Sequence, residues 1–153
     1  MINIVLYSPE IPQNTGNISR TCAVTGARLH IIKPIGFEIS DRTLKRAGLD
    51  YWDKLDVTYY ENYEDFLRQN KNAELYFFSA HAERSFADID YPEDVFLVFG
   101  RESVGLPREL VEANMDRALR IPMRKTLRCL NLSNSVAIAV YEVLRQREYL
   151  GLE

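Results

Sequence analysis

The sequence contains three runs of strand length that are apolar at almost every position: residues 2–7, 75–79 and 95–100. A strand with one face in water alternates between apolar and polar residues, and these runs do not. Strands of this kind are buried on both faces, which is typical of a parallel sheet covered by helices. This feature constrains the fold most, because it requires a helical layer on each side of the sheet.

Weaker strand signals and helical patterns alternate along the rest of the chain. Further strands are predicted at residues 29–33, 57–60 and 119–121. Helices are predicted from Asn14 or Thr15 to Gly26, from Ser40 or Asp41 to Arg46, from Asn62 to Gln69, after Pro107, and over residues 132–149. The order predicts a single three-layer α/β domain over residues 1–153, with a mainly parallel sheet of about six strands.

The charge is distributed unevenly. A net charge of −3 argues against a protein that binds nucleic acid over its whole surface. Five basic residues and no acidic residue lie between Arg117 and Arg128, however, and a second basic group consists of Arg42, Lys45 and Arg46. Any nucleic-acid site is therefore expected to be a local patch, and solvated surface charge is an equally open reading of the same residues.

Several classes of protein are excluded by what the sequence lacks. Two cysteines cannot build a disulfide framework or a thiolate zinc site, and no metal-ligand spacing is present, so no metal is expected. The apolar runs are too short to cross a bilayer and the amino terminus resembles a strand, so we expect a cytoplasmic protein with no membrane partner. Neither a G-x-G-x-x-G nor a G-x-x-x-x-G-K-[ST] motif follows a strand.

The two histidines are expected to differ. His30 lies within an apolar strand and is predicted to be a packed core residue. His81 follows the strand at 75–79; a surface position is predicted, with a place in a pocket wall as the alternative.

The final helix is apolar around most of its circumference. Leu132, Val136, Val140 and Val143 form one stripe, and neighbouring residues extend it. A helix of this kind is buried on more than one side, which predicts a homodimer formed through it. Burial entirely within its own domain is the alternative.

Three segments at the carboxyl ends of predicted strands combine glycine or proline with small polar residues: 12–20, 99–107 and 121–135. Ligands bind at this edge of open parallel sheets. Together the segments resemble motifs of the SPOUT superfamily of RNA methyltransferases, especially its small tRNA wobble-nucleotide 2′-O-methyltransferases (TrmL or YibK-like). The resemblance covers essentially the whole chain, including residues 46–51.

This resemblance implies a C-terminal trefoil knot and transfer of a methyl group from S-adenosylmethionine to the ribose 2′-hydroxyl of nucleotide 34, a cytidine or modified uridine. It places Phe78, Gly100, Ile121, Cys129 and Leu130 at the cofactor. Core packing is the alternative for Phe78 and Ile121. Relatives often carry serine at the position of Cys129, and a thiol is the weaker hydrogen-bonding group.

The resemblance also assigns Arg20, Asn14, Glu102 and Asn131 to the reaction. An arginine is always protonated, so Arg20 is expected to bind a substrate phosphate and to stabilise negative charge on the attacking oxygen. Alternatively, Arg20 pairs with Glu10 or Glu102 at the surface, Glu102 braces Arg20 or Arg101, and both asparagines cap helices.

The expected partner is the anticodon stem-loop of tRNA, since no separate RNA-binding domain is expected in this chain. Arg124, Lys125 and Arg128 are expected to contact the RNA backbone, with Arg42, Lys45 and Arg46 as a second contact point. A noncatalytic α/β module that binds a nucleotide or RNA, as a regulator or assembly factor, is the alternative function.

Overall fold

The computed structural model describes residues 1–38, 55–127 and 129–153. The helix predicted from Ser40 or Asp41 to Arg46 lies outside the described residues. The same is true of four basic residues expected to contact RNA: Arg42, Lys45, Arg46 and Arg128. No helix within the described ranges is long and apolar enough to cross a membrane.

The described chain forms a seven-stranded sheet in which every pairing is parallel. The strands are β1 (Ile2–Tyr7), β2 (Arg28–Ile32), β3 (Val57–Tyr60), β4 (Leu75–Phe78), β5 (Arg84–Ser85), β6 (Val95–Phe99) and β7 (Ala118–Arg120), in the spatial order β3-β2-β1-β6-β4-β7-β5. The predicted parallel sheet is confirmed. Its seventh strand, β5, was not predicted, because two residues are too few to produce a periodic pattern.

Helices cover both faces of the sheet, as the three-layer prediction requires. They are α1 (Pro12–Thr25), α2 (Tyr63–Gln69), α3 (Arg108–Glu112) and α4 (Leu132–Gln146), and a 3-10 turn spans Met115–Arg117. In β6, Leu97 and Phe99 point into the core under α1 and α4, whereas Phe96 and Val98 point into the core under α2 and α3. The trefoil knot stays a prediction, since strand order alone does not define how the chain is threaded.

Two predicted helix boundaries were wrong. α1 begins at Pro12, which suits the first turn because that position needs no N–H group. α4 ends at Gln146 and not at residue 149, since Glu148 and Tyr149 adopt left-handed φ angles of 53° and 54° that a helix cannot contain. Two predicted caps were right: Asn62 accepts the Asp65 N–H at the start of α2, and Gly26 ends α1 with a φ of 71°.

The C-terminal helix α4 is only partly covered by its own domain. Val136, Ala139, Val140 and Val143 are fully buried against the sheet and α1. On the opposite face, Ile138 and Tyr141 are 39% and 47% exposed. The helix therefore keeps an apolar surface that this chain does not cover, and the homodimer stays a prediction.

A buried polar chain of hydrogen bonds crosses three strands at His30. The ring Nε2 lies 3.2 Å from Asn3 Oδ1, and Nδ1 lies 2.8 Å from the Tyr60 hydroxyl. Since the Asn3 amide donates to Asp94 and to the Val95 carbonyl, its oxygen is left to accept from Nε2–H. Nδ1 then accepts from Tyr60, so His30 is neutral and fully bonded in the core, as predicted.

Burial of His30 predicts a pH-dependent stability. Desolvation lowers the pKa of His30 from 6.5 to about 4, so the unfolded chain binds a proton between these values that the folded chain does not. Folding stability attributable to this residue is complete above pH 6.5 and falls by roughly 3 kcal/mol as the pH approaches 4. In urea titrations at both pH values, His30→Gln should lose less stability on acidification than the wild type.

The exposed residue His81 provides the matched control, since His81→Gln should follow the wild-type pH dependence. Parallel acid curves for the wild type and His30→Gln would contradict the role of His30.

Candidate active site

Loops from several parts of the chain meet in one cavity at the carboxyl edge of the sheet. The cavity has a volume of about 750 Å³. Its wall includes residues that follow β1, β4, β6 and β7, together with the segment that leads into α4. Residues far apart in the sequence thus surround a single space, at the edge where open parallel sheets bind their ligands.

Eight of the nine predicted site residues line this cavity. They are Asn14, Phe78, Gly100, Glu102, Ile121, Cys129, Leu130 and Asn131. The ninth, Arg20, is not part of the wall. It lies on the exposed side of α1, six residues after Asn14 and therefore about 240° further around the helix axis. Asn17 and Val24 are exposed on the same side.

Gly100 is required by close packing of the chain on itself. A Cβ at this position would lie 2.0 Å from the Gly105 carbonyl carbon and 2.1 Å from the Leu106 nitrogen. The turn between Arg101 and Gly105 folds back over Gly100, and these two residues exchange backbone hydrogen bonds of 3.1 and 2.9 Å. The resemblance to the SPOUT superfamily placed Gly100 at the cofactor. In the structure, the lack of a side chain at Gly100 leaves room for the backbone of Gly105 and Leu106, and so allows this part of the cavity wall to form.

The apolar part of the wall also belongs to the core. The rings of Phe78 and Phe99 stack with centroids 4.6 Å apart, and Ile121 packs against the same core cluster. Phe78 and Ile121 thus pack against the core and also line the cavity, so their role at the cofactor stays a prediction. Leu130 is more exposed and presents its side chain to the opening.

Two glutamates tie the loop after β1 to the loop after β6. The Glu102 carboxylate accepts the N–H groups of Glu10 at 2.8 Å and Ile11 at 3.0 Å, just before the start of α1. In return, the Glu10 carboxylate accepts the N–H of Ser103 at 3.2 Å and its hydroxyl at 2.7 Å. These two hydrogen bonds from Ser103 lower the pKa of Glu10. We call this reciprocal pair the glutamate clamp.

Two asparagines extend the clamp to the third loop. The Asn14 amide donates to Glu102 at 3.3 Å, and Asn131 donates to the Asn14 oxygen at 2.9 Å. The Asn131 oxygen accepts the N–H and hydroxyl of Ser133, so Asn131 caps α4 as the alternative predicted. Asn14 lies inside α1 and caps nothing, so that alternative was wrong. The three loops are thus joined by one hydrogen-bonded chain.

The contacts of Glu102 and Glu10 differ from the predicted alternatives. Glu102 receives backbone and amide N–H groups, and Glu10 receives Ser103. No ion pair of either carboxylate with Arg20 or Arg101 is found among the described residues. Arg101 acts on Glu10 only at longer range, where its positive charge contributes to the lowered pKa.

Sequence reasoning missed some of the wall. Ser79 and His81 follow β4 and line the cavity, and both can form hydrogen bonds there. His81 is exposed as predicted, yet it also occupies the pocket wall that was given as its alternative. The feature of the sequence that could have identified His81 as a wall residue is its position soon after the buried strand β4. Glu10 and Ser103 were not proposed as site residues, since only the fold brings them together.

The two thiols lie in different surroundings. Cys129 is exposed in the cavity wall. Cys22 is a buried residue of α1, and desolvation raises its pKa to about 12. Nothing among the described residues gathers three or more carboxylate, imidazole or thiol groups at metal-binding distance.

The basic segment contains residues of two kinds. Arg117 pairs with Glu74 and lies over the Tyr76 ring, 5.6 Å from its centroid, so it is part of the domain's own packing. Arg124 and Lys125 are exposed between Met123 and Cys129, two residues of the cavity wall. These two cations therefore lie on the chain segment that joins two residues of the wall.

Comparison with known proteins finds several similar tRNA and rRNA methyltransferases. A tRNA (cytidine(34)-2'-O)-methyltransferase of Escherichia coli (strain K12) is 45% identical over 152 residues, which cover 99% of this chain and 97% of that protein. A solved structure, described as giving structural insights into the 2-OH methylation of C/U34 on tRNA, is 44% identical, has a TM-score of 0.91 and is matched over 97% of each chain.

A more distant structure, an AdoMet-bound rRNA methyltransferase from Sinorhizobium meliloti, is 26% identical with a TM-score of 0.82, covering 94% of this chain and 56% of that one. Residues 1–141 match the SpoU rRNA Methylase family. With this match and near-complete coverage by relatives that share almost half of its residues, the chain belongs to the SpoU methylase family.

Proposed function

We propose that this protein transfers a methyl group from S-adenosylmethionine to the ribose 2′-hydroxyl of nucleotide 34, a cytidine or uridine, in tRNA. One observation carries the proposal. The motifs of a family of methyltransferases converge on a single cavity at the carboxyl edge of the sheet, in a chain 45% identical to a tRNA (cytidine(34)-2'-O)-methyltransferase over its whole length.

The cavity suits the cofactor. Phe78, Ile121 and Leu130 supply apolar walls for an adenine ring, and the turn after Gly100 presents backbone groups that can bind its edge. An AdoMet-bound relative with the same fold supports the choice. When bound, S-adenosylmethionine supplies a methyl carbon that is attached to a positively charged sulfur and is open to attack by oxygen.

The chain's own contribution is to position the reactants and to stabilise charge. The Arg20 guanidinium binds a phosphate of the RNA through two parallel hydrogen bonds and stabilises negative charge as the 2′-oxygen attacks. The proton of the 2′-hydroxyl passes to a nearby phosphate oxygen. The glutamate clamp and the two asparagines hold the cavity wall in one geometry, which is a positioning role.

Arg20 reaches a cavity through a second subunit. It lies outside the wall of its own cavity, on the exposed face of α1 that also carries Val24. The exposed face of α4 adds Ile138 and Tyr141. A homodimer that covers these apolar residues would bring Arg20 of each subunit to the cavity of the other.

The RNA backbone is bound by cations near the opening. Arg124 and Lys125 are exposed beside the cavity and can contact phosphates of the anticodon stem-loop. The dimer itself then provides the surface for tRNA.

The decisive experiment is methyl transfer from labelled S-adenosylmethionine to total tRNA, followed by mapping of the modified nucleotide. We expect label at the 2′-oxygen of nucleotide 34. Cofactor binding without transfer to any RNA would instead favour a noncatalytic nucleotide-binding module.

Gly100→Ala should weaken cofactor binding strongly. The added methyl group meets backbone atoms at 2.0 and 2.1 Å, so the turn that forms the cavity wall must move. We expect calorimetry to show at least a tenfold weaker affinity for S-adenosylmethionine, because the backbone donors are displaced.

Gly26→Asn, at the end of α1 and outside the cavity wall, is the control and should bind S-adenosylmethionine like the wild type. A Cβ at Gly26 meets nothing within 4 Å, and asparagine tolerates its φ of 71°. Equal affinities for Gly100→Ala and the wild type would show that the turn does not bind the cofactor.

Arg20→Ala should lower kcat by roughly 10²-fold or more while leaving cofactor affinity unchanged, since it removes charge stabilisation at the reacting oxygen. The control is Arg28→Ala, which removes a surface arginine paired with Asp56 and should keep full activity.

Coexpression of Arg20→Ala with Gly100→Ala chains tests the shared site. If Arg20 serves the partner's cavity, each mixed dimer contains one intact site, and the mixture should recover about a quarter of wild-type activity. If Arg20 serves its own cavity, no mixed dimer is active.

Tyr141→Glu should dissociate the dimer, because a carboxylate placed in an apolar interface loses its hydration. Sedimentation at micromolar concentration should then show a monomer. Leu150→Glu, at a residue that is 90% exposed near the carboxyl terminus, is the control and should sediment like the wild type. A wild-type monomer would contradict the dimer.

A further inference from the structure

A second cavity adjoins the candidate active site. Its volume is about 810 Å³, and it shares Ser79, His81, Arg101 and residues 104–106 with the first cavity. The turn between Arg101 and Gly105 thus forms a wall of both spaces. On its far side, the second cavity is closed by α3 and the 3-10 turn, which contribute Val111 and Met115.

The lining of this second cavity suits a flat heteroaromatic ring. Leu106 and Val111 are buried and form an apolar surface, and the Met115 thioether is 38% exposed beside them. Thioethers and aliphatic groups make favourable contacts with ring faces. Ser79 and His81 offer hydrogen-bonding groups for the ring's edge.

The charges around the cavity favour an anionic ligand over a neutral one. Arg108 forms an ion pair of 2.7 Å with Glu112, so these two side chains largely neutralise each other. The guanidinium of Arg101 is exposed on the shared turn and can stack on a base or approach a phosphate. An RNA strand offers both groups at each nucleotide.

The covalent structure of RNA indicates which group would occupy the second cavity. A polynucleotide that presents one ribose to the first cavity holds its neighbouring nucleotides within a single phosphodiester linkage. The second cavity lies on the other side of one turn of five residues. Single-stranded RNA is recognised through bases that are turned out of the stack and bound on their faces and edges.

We propose that the second cavity binds the nucleobase of the nucleotide directly next to the methylated one on the same RNA strand. This inference rests on the proposed function and extends it, since it makes Met115, Val111 and Arg101 determinants of substrate specificity. The shared turn then contacts the cofactor on one side and the flanking base on the other.

A cavity-filling substitution paired with an abasic substrate tests the proposal. Met115→Trp places an indole in the cavity from an exposed position, and Asp116→Trp in the same 3-10 turn is the control, because Asp116 does not line the cavity. The substrates are an RNA anticodon stem-loop and two copies that each lack one base, on the 5′ or the 3′ side of the methylated nucleotide.

We expect the KM of the wild type to be at least tenfold higher for one of the two abasic RNAs than for the intact RNA. Met115→Trp should raise KM for the intact RNA by a similar factor. The two increases in KM should not multiply, since the substitution and the missing base each remove the same contact between the base and the cavity. Affinity for S-adenosylmethionine should stay unchanged, and Asp116→Trp should behave as the wild type.

The proposal is overturned if neither abasic RNA differs from the intact stem-loop, or if the losses multiply. Weaker cofactor affinity in Met115→Trp would instead assign the second cavity to the cofactor. Should Met115→Trp fail to fold, Arg101→Gln makes the same comparison from an exposed side chain. An absence of methyl transfer by the wild type would contradict the proposed function itself. Normal transfer with equal KM for all three RNAs would contradict only the role of the second cavity.

Discussion

The contact between Gly100 and the turn that follows it determines the geometry of both cavities. β6 is the central strand next to β1, and its last residues are held in register on both sides. The chain then reverses so closely that the backbone of Gly105 and Leu106 occupies the place of a side chain at position 100. A rigid strand therefore fixes a loop that would otherwise be free to move, and the loop forms one wall of each space.

The glutamate clamp transmits this rigidity to the rest of the site. Glu102 holds the backbone just before α1, and Glu10 holds the turn in return. The asparagine pair then reaches the segment before α4. Helix α1, whose outer face carries Arg20, is consequently fixed relative to the cavity. In the proposed dimer, the same contacts would help to fix Arg20 relative to the partner's cavity.

The sequence predicted features that depend on local pattern. The unbroken apolar run at 95–100 predicted a buried parallel strand. Both faces of such a strand are buried, so its consecutive residues are all apolar. Eight of the nine site residues met in one cavity because loops at the carboxyl ends of parallel strands share an edge. The start of α1 was predicted too late, since the groups that satisfy the backbone there come from Glu102, distant in sequence.

Other features could not be predicted from local pattern. The role of Gly100 depends on atoms of Gly105 and Leu106 whose positions follow from the turn's conformation. The second cavity depends on how far α3 lies from the end of β4, which no periodicity encodes.

The two thiols differ in accessibility, so alkylation of Cys129 can report whether the cavity is occupied. Alkylating reagents react with thiolates, and burial keeps Cys22 protonated and inaccessible. Cys129 stands in the open wall. A reagent of modest size therefore marks one sulfur per chain, and any molecule that occupies the space shields it. The rate of that single alkylation reports occupancy directly, without a radioactive donor or an RNA substrate.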